Sequence, residues 1–383
     1  MAATVLVAAA CLSCQHPAQS VPPAASSQQP PDPVPWAREA DDAGRFLAGL
    51  PGRDGSSFRD LEANPAWQVH RQEMDRAWQN IEARTLPAMR EFQETELSGA
   101  LIEHSLVFYP FSGPDALMLT VFFPRNSTYV MVGLEPPGTL PTPQQFAQKD
   151  LGNALEQIRD TVSSELQRSF FITRQMDRQF RGQVTDGLFP PILHLLVRAN
   201  NRVLGYRYVR FEAGGRIGER NPKTDRGTKA LNKGVEIDFF NPADRTRHKL
   251  YYFSVNLSDS RIRKNEPFLA FLSQLSGVTT FFKATSYMLH QPGFTVIRDQ
   301  VLAHSGAVLQ DDSGIQYRFF PAPPWRVQLY GEFDRPFGSF KWFEQPDLKK
   351  AYATEKPKPL NFRIGYGFSQ VPSNLLLATK PDR

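Results

Sequence analysis

A chain of 383 residues, 41% hydrophobic and 22% charged, has an ordinary globular balance and enough length to bury a sizeable core. Lys and Arg outnumber Asp and Glu by 44 to 39, and a net charge of +5 suits weak attraction to anionic surfaces but is far from the dense basic face of a nucleic-acid binder. Both cysteines, Cys11 and Cys14, stand near the start, so the rest of the chain has no disulfide, no Cys nucleophile and no thiolate metal site.

Residues 1–12, MAATVLVAAACL, form an apolar run too short to span a bilayer but suited to the core of a secretion signal. Ala8, Ala9 and Ala10 lead into Cys11, the arrangement a lipoprotein signal peptidase cuts before acylating the thiol. Cys11 fits better than Cys14, which would place Cys11 at a site that wants a small or aliphatic residue. No Lys or Arg precedes Arg38, so the usual basic start of a signal is missing, which a translation start further upstream would explain. Ala18-Gln19-Ser20 is an alternative cleavage site that would yield a soluble secreted protein, and an apolar tail on a cytosolic protein is the plainest alternative. Residues 15–35 carry seven Pro with Ser, Gln and Ala, a composition that extends rather than folds and suits a tether. The sequence expectation is a signal over 1–14, a linker over 15–35 and a lipid anchor in the cell envelope, facing the periplasm or the exterior.

From residue 36 to 98 the pattern is helical. Trp67, Met74, Trp78 and Ile81 recur at helical spacing, Asn64 caps before Pro65, and Pro87 divides the second part. This region reads as a helical arm laid against the body. Strands follow at 105–111 (SLVFYPF) and 128–134, then helices at 143–168 and about 187–200, then a strand at 203–211. Residues 214–233, rich in Arg and Lys, read as a solvated basic loop. Beyond it come strands at 234–240 and 250–257, helices at 265–276 and 293–309, and strands at 315–320, 325–330, 362–368 and 374–379.

Phe170-Phe171 precede Tyr206-Arg207 by the same interval that separates Phe281-Phe282 from Tyr317-Arg318. Phe122-Phe123 and Phe239-Phe240 each read as the end of an opening strand. The expectation is a mixed α/β (α+β) fold of two similar sheet-and-helix halves, 99–213 and 234–383, with an ancient duplication and chance in a Phe-rich chain as competing explanations.

No GxSxG elbow, phosphate loop, HExxH or dinucleotide fingerprint is present, and no His pair has metal-clamp spacing, so neither metal nor cofactor is expected. Two segments are unusual. Tyr109-Pro110-Phe111-Ser112-Gly113-Pro114-Asp115 puts a hydroxyl, a Gly and a carboxylate in a turn at a strand end, where binding groups sit. Its plain reading is a turn whose Asp115 caps a helix starting at Ala116. Gln310-Asp311-Asp312-Ser313-Gly314 offers adjacent carboxylates, too few for calcium alone, and reads plainly as helix C-terminal punctuation with Gly314 left-handed. Ser112, Gly113, Asp115, Asp311, Asp312, Ser313, Tyr317 and Arg318 are the candidate binding residues.

The segments YPFSGPD (109–115), FFP (122–124), YVMVGLEPPG (129–138) and LQDDSGIQYRFF (309–320) resemble a family of bacterial exported proteins and lipoproteins with no assigned function. The resemblance runs from about residue 60 to the end and implies kinship without an activity to transfer. Three roles follow as expectations: an envelope protein that binds a ligand or partner, a hydrolase joining Ser112 and Asp115 to a distant His290 or His304, or an assembly factor docking through its helical arm. His104, near Ser112 in sequence, lies too far along one strand to serve as its base without a bend.

Overall fold

The computed structural model describes residues 35–101, 106–168, 186–222, 232–243, 245–368 and 371–381. Cys11, Cys14, the signal, the linker through residue 34, His104, Phe170-Phe171 and residues 223–231 of the basic loop lie outside these residues.

The fold is mixed α/β around one ten-stranded sheet. In chain order the strands are β1 Leu106–Pro110, β2 Thr128–Gly133, β3 Arg202–Phe211, β4 Ile217–Glu219 and β5 Lys233–Asn241. They continue with β6 Thr246–Ser254, β7 Val278–Phe282, β8 Ser305–Gln310, β9 Arg326–Gly331 and β10 Asn374–Thr379. Their spatial order is β4-β3-β5-β6-β2-β1-β7-β8-β10-β9, so both sequence halves feed a single sheet. The central block β6-β2-β1-β7-β8 is parallel, flanked by antiparallel strands on both sides. LVFYP, YVMVG and VTTFF are almost unbroken apolar runs because parallel central strands are covered on both faces.

Two cores result. On one face Val107, Tyr109, Met131, Ile237 and Leu309 pack under the helices Ala116–Phe122 and Phe189–Arg198 and the N-terminal helices. On the other, Phe108, Val130, Phe282 and Val308 pack under the helices Glu266–Ser273, Thr295–His304 and Pro346–Thr354. The crossover from β1 to β2 therefore covers one face and that from β7 to β8 the other. Right-handed crossovers running outward in opposite directions produce this arrangement, and the line between β1 and β7 is where the winding reverses.

The N-terminal region is helical as read, and it is part of the core. Trp67 and Met74 are buried and Trp78 is half-buried, so the apolar stripe that a docking arm would present is already covered. Glu96 accepts from Tyr330 Oη at 2.9 Å and from Lys358 Nζ at 2.7 Å, tying this layer to the far edge of the sheet.

Several sequence assignments are corrected. Residues 143–168 form two helices, Pro143–Ala147 and Leu151–Arg168, each with its own start. Residues 305–309, read as the end of a helix, are strand β8. Residues 315–320 and 362–368 are not strands. Tyr317–Phe319 and Gly365–Phe368 are single 3-10 turns, and Gly365 at φ +56 breaks the apolar alternation that suggested a strand. Phe122 closes the helix Ala116–Phe122 and no strand, whereas Phe239-Phe240 do lie in β5. The basic loop opens with β4, which pairs antiparallel with β3.

Candidate functional site

β1 ends at Pro110, and Phe111 turns the chain sharply at φ +61. Ser112 N–H then donates to Val132 O of β2, and Gly113 takes φ +53. Asp115 is the N-cap of the next helix, with Oδ1 accepting from Met118 N at 3.3 Å, as the plain reading holds. Its other oxygen does more. Oδ2 accepts from Tyr109 Oη at 2.8 Å and lies 2.6 Å from Lys283 Nζ. Lys283 is the first residue after β7, and both partners of this ion pair are buried.

Asp311 and Asp312 follow β8 directly, beside Lys283 across the β7–β8 edge. Asp311 Oδ1 accepts from Ser313 N at 3.0 Å and from Ser313 Oγ, while Oδ2 accepts from Ala284 N at 2.8 Å. Asp312 Oδ2 accepts from Tyr287 Oη, and Oδ1 from Asn374 Nδ2 at 2.9 Å. The Asp-Asp-Ser-Gly segment therefore belongs to a strand-to-loop junction. Gly314 is not left-handed, which corrects its reading as a helix stop.

Burial pushes the Asp311 carboxyl up, against the pull of Ser313, the Ala284 N–H and Lys283. Burial and the neighbouring Asp311 push Asp312 up to about 7, against its bonds from Tyr287 and Asn374. Burial and Asp312 raise the Tyr287 phenol, keeping it a neutral donor. One shared site thus holds a buried ion pair and a carboxyl raised to about 7.

Backbone strain collects at the same place. Phe111, Ala284, Ser286 and Tyr287 all have positive φ, half of the eight non-Gly residues that do so among the described residues. Such conformations persist only where surrounding contacts impose them, and they cluster at binding and catalytic sites. Gly365 comes so close that a Cβ there would meet Asp311 Oδ2 at 2.4 Å.

An aromatic segment covers the cluster. Between β9 and the helix Pro346–Thr354, Phe343 stacks on Tyr287 with centroids 5.6 Å apart, and Phe337 stacks on Tyr366 at 5.0 Å. Phe337 N donates to Tyr287 Oη at 3.2 Å, and Gln345 Nε2 to Asp312 O at 2.9 Å. The cleft beside Gln310, Asp312, Tyr317, Gln345 and Asn374 is too narrow to hold a water molecule.

Of the sequence candidates, Gly113, Asp115, Asp311, Asp312 and Ser313 come together around the ends of β1, β7 and β8. Ser112 is adjacent and buried, but its Oγ donates to Gly113 O at 3.0 Å and approaches Val132 O at 3.4 Å, and no His among the described residues is hydrogen-bonded to it. His290 lies on the loop after β7, pushed down to about 4 by burial, and His304 ends the helix that leads into β8, at the amino end of that strand and so at the opposite end from the site. Tyr317 lines the cleft wall and gives its hydroxyl to Glu355 at 2.9 Å. Arg318 turns away, donating to Gln316 Oε1 at 2.7 Å and stacking near Phe319.

Sequence reasoning missed Lys283, Tyr287 and Asn374. A signal for Lys283 existed: it is a lone charge terminating the apolar run VTTFF, where a buried Lys needs a partner. Among the described residues no group of His, Cys, Asp and Glu is arranged to hold a metal ion, and no helix is long and apolar enough to cross a membrane. The chain matches no protein-family model, no curated protein and no solved structure.

Proposed function

We propose that this chain is an exported envelope protein, anchored by a lipid on Cys11, that binds a ligand at the carboxyl ends of β1, β7 and β8. The export half rests on the N-terminal pattern: apolar core, small residues before Cys11, then a Pro-rich tether. The binding half rests on one observation. Asp115, Lys283, Asp311 and Asp312, contributed by three separate loops, gather where the winding of the sheet reverses. Open α/β sheets bind ligands in that crevice, because adjacent loops part to opposite faces there. A ligand reaches the cluster when the segment carrying Phe337, Phe340 and Phe343 swings off Tyr287 and Tyr366. That segment is tethered between Asp334 and Gln345 mainly by ring stacking and the Phe337 N–H bond.

Native mass spectrometry of the full chain, released from its own envelope fraction, tests both halves. The reading expects an acyl mass on the Cys11 peptide and a second, non-covalent mass on the folded chain. Asp312→Asn, confirmed folded by circular dichroism, is expected to lose the non-covalent mass and keep the acyl group. A folded wild-type chain that carries neither mass overturns the proposal.

A further inference from the structure

The helix Pro35–Leu47 ends in a Schellman turn. Leu50 N donates to Arg45 O at 2.8 Å and Gly49 N to Phe46 O at 3.1 Å, with Gly49 left-handed at φ +64. Such a turn leaves the next two carbonyls, those of Leu47 and Ala48, without backbone partners. Side chains from two other helices take them. Leu47 O accepts from His70 Nε2 at 2.8 Å and from His194 Nδ1 at 3.0 Å, while Ala48 O accepts from Arg198 Nε at 2.6 Å. Trp67 Nε1 adds a bond to Phe46 O at 3.1 Å.

A carbonyl only accepts, so each imidazole must donate through the nitrogen that faces Leu47 O. The opposite nitrogens, His70 Nδ1 and His194 Nε2, are buried without a hydrogen-bond partner, as is Arg198 Nη2. Both rings are less than 2% exposed. The site therefore accommodates two neutral imidazoles and no further proton. A second N–H on either ring would find no acceptor, and its charge would face the Arg198 guanidinium in a dry pocket.

We propose that His70 and His194 form an acid-released latch, in which protonation of the pair expels the C-terminal turn of the Pro35–Leu47 helix from its seat. The device sits where the proposed tether joins the body. Release also removes Asp41 Oδ1 from Val203 N, a 3.0 Å bond that caps the start of β3.

The charges around the pair set its direction. Arg159, paired with Glu73 at 2.6 Å, and Arg198, paired with Asp75 at 2.7 Å, both oppose protonation of His70, and Arg71 adds positive charge near Arg198. On the released helix lie Asp41, bonded to Arg53, together with Asp42 and Arg45. Burial pushes His70 down to about 4 and, with Arg198 and His70 adding to it, pushes His194 well below its usual value. The docked state thus binds fewer protons than the released one between pH 6.5 and 4, so docking is full above that window and weakens as pH falls through it. Asp42, raised by burial and by Asp41, favours docking on protonation and acts in the opposite sense at the acid end.

Hydrogen exchange of the full chain across this window is the test, with rates corrected for the intrinsic pH dependence of exchange. Taking up two protons, the opening equilibrium seen by the Ala48, Gly49 and Leu50 amides should grow by up to about 100-fold per pH unit on acidification. His194→Gln keeps a donor for Leu47 O without titrating and should cut the slope to about 10-fold per unit. Amides of β1 and β2 should show no such slope. Imidazole NMR of the folded wild type gives an independent reading whether or not the variant folds. A flat exchange profile at Ala48–Leu50, an equal slope in the central strands, or either imidazole titrating above pH 6 in the folded chain overturns the latch.

Discussion

At the carboxyl ends of β1, β7 and β8, each oxygen of Asp115, Asp311 and Asp312 has a donor, down to the Tyr287 and Asn374 bonds that fix Asp312. At the end of the Pro35–Leu47 helix, three buried nitrogens of His70, His194 and Arg198 have no acceptor. Both places bury groups capable of charge, but one is saturated with donors and the other is short of acceptors. Saturation lets a charged pair persist inside the protein, whereas a shortage permits only the neutral form. Asp312 and the His70–His194 pair therefore respond to acid with opposite signs, whereas His290, packed on Tyr287 in the first region, responds as His70 does. Asp312, raised to about 7, favours folding when protonated, a contribution complete below the ordinary carboxylate value of 3.8 and lost as pH rises through about 7. The histidines favour folding when neutral, a contribution complete above 6.5 and lost as pH falls toward 4.

Removing a donor from the saturated region should have the largest effect. Lys283→Met leaves the Asp115 carboxylate buried beside an apolar chain, and urea unfolding should show a loss of about 3–5 kcal/mol. Adding Asp115→Asn, whose oxygen can still cap Met118 N, should recover a substantial part of that loss. Additive losses would mean that the pair is not coupled. Next in size, Asp312→Asn removes one of the two opposed pH responses. Chemical denaturation between pH 4 and 7 should then show stability rising more steeply with pH than in the wild type, by at most about 1.4 kcal/mol per pH unit. An unchanged profile would remove Asp312 from the comparison. Smallest is Ser112→Ala, which deletes a hydroxyl spent on backbone carbonyls and should cost about 1 kcal/mol while the non-covalent ligand mass is retained. Loss of ligand from a stable Ser112→Ala chain would restore Ser112 to the site.

The central strands were legible because parallel packing makes them continuous apolar runs, as in SLVFYPF and TYVMVGL. β7 escaped because Thr279 and Thr280 interrupt VTTFF, though both are buried and Thr280 Oγ1 bonds with Ser305 Oγ at 2.7 Å. The helix Ala116–Phe122 was legible at its start, from the Asp115 cap, but not in its extent. It is apolar all round, since nearly every residue is buried, and so it has no amphipathic period. FRIGYGF misled because strict alternation suggests a strand, and only the position of Gly365 against Asp311 explains its turn. Both site segments drew notice from their turn chemistry alone. Their meeting was not legible, because it depends on β7 entering between β1 and β8 and delivering Lys283, a fact of topology with no local trace.

The ligand site at the reversal line is tested most directly by hydrogen exchange of the full chain isolated from its envelope, before and after the bound mass is removed by unfolding and refolding. The account expects removal to raise exchange at 283–288, 311–315 and 337–345 together, with the Pro35–Leu47 helix unchanged at neutral pH. Changes confined to other segments, with those three indifferent to the bound mass, would contradict it.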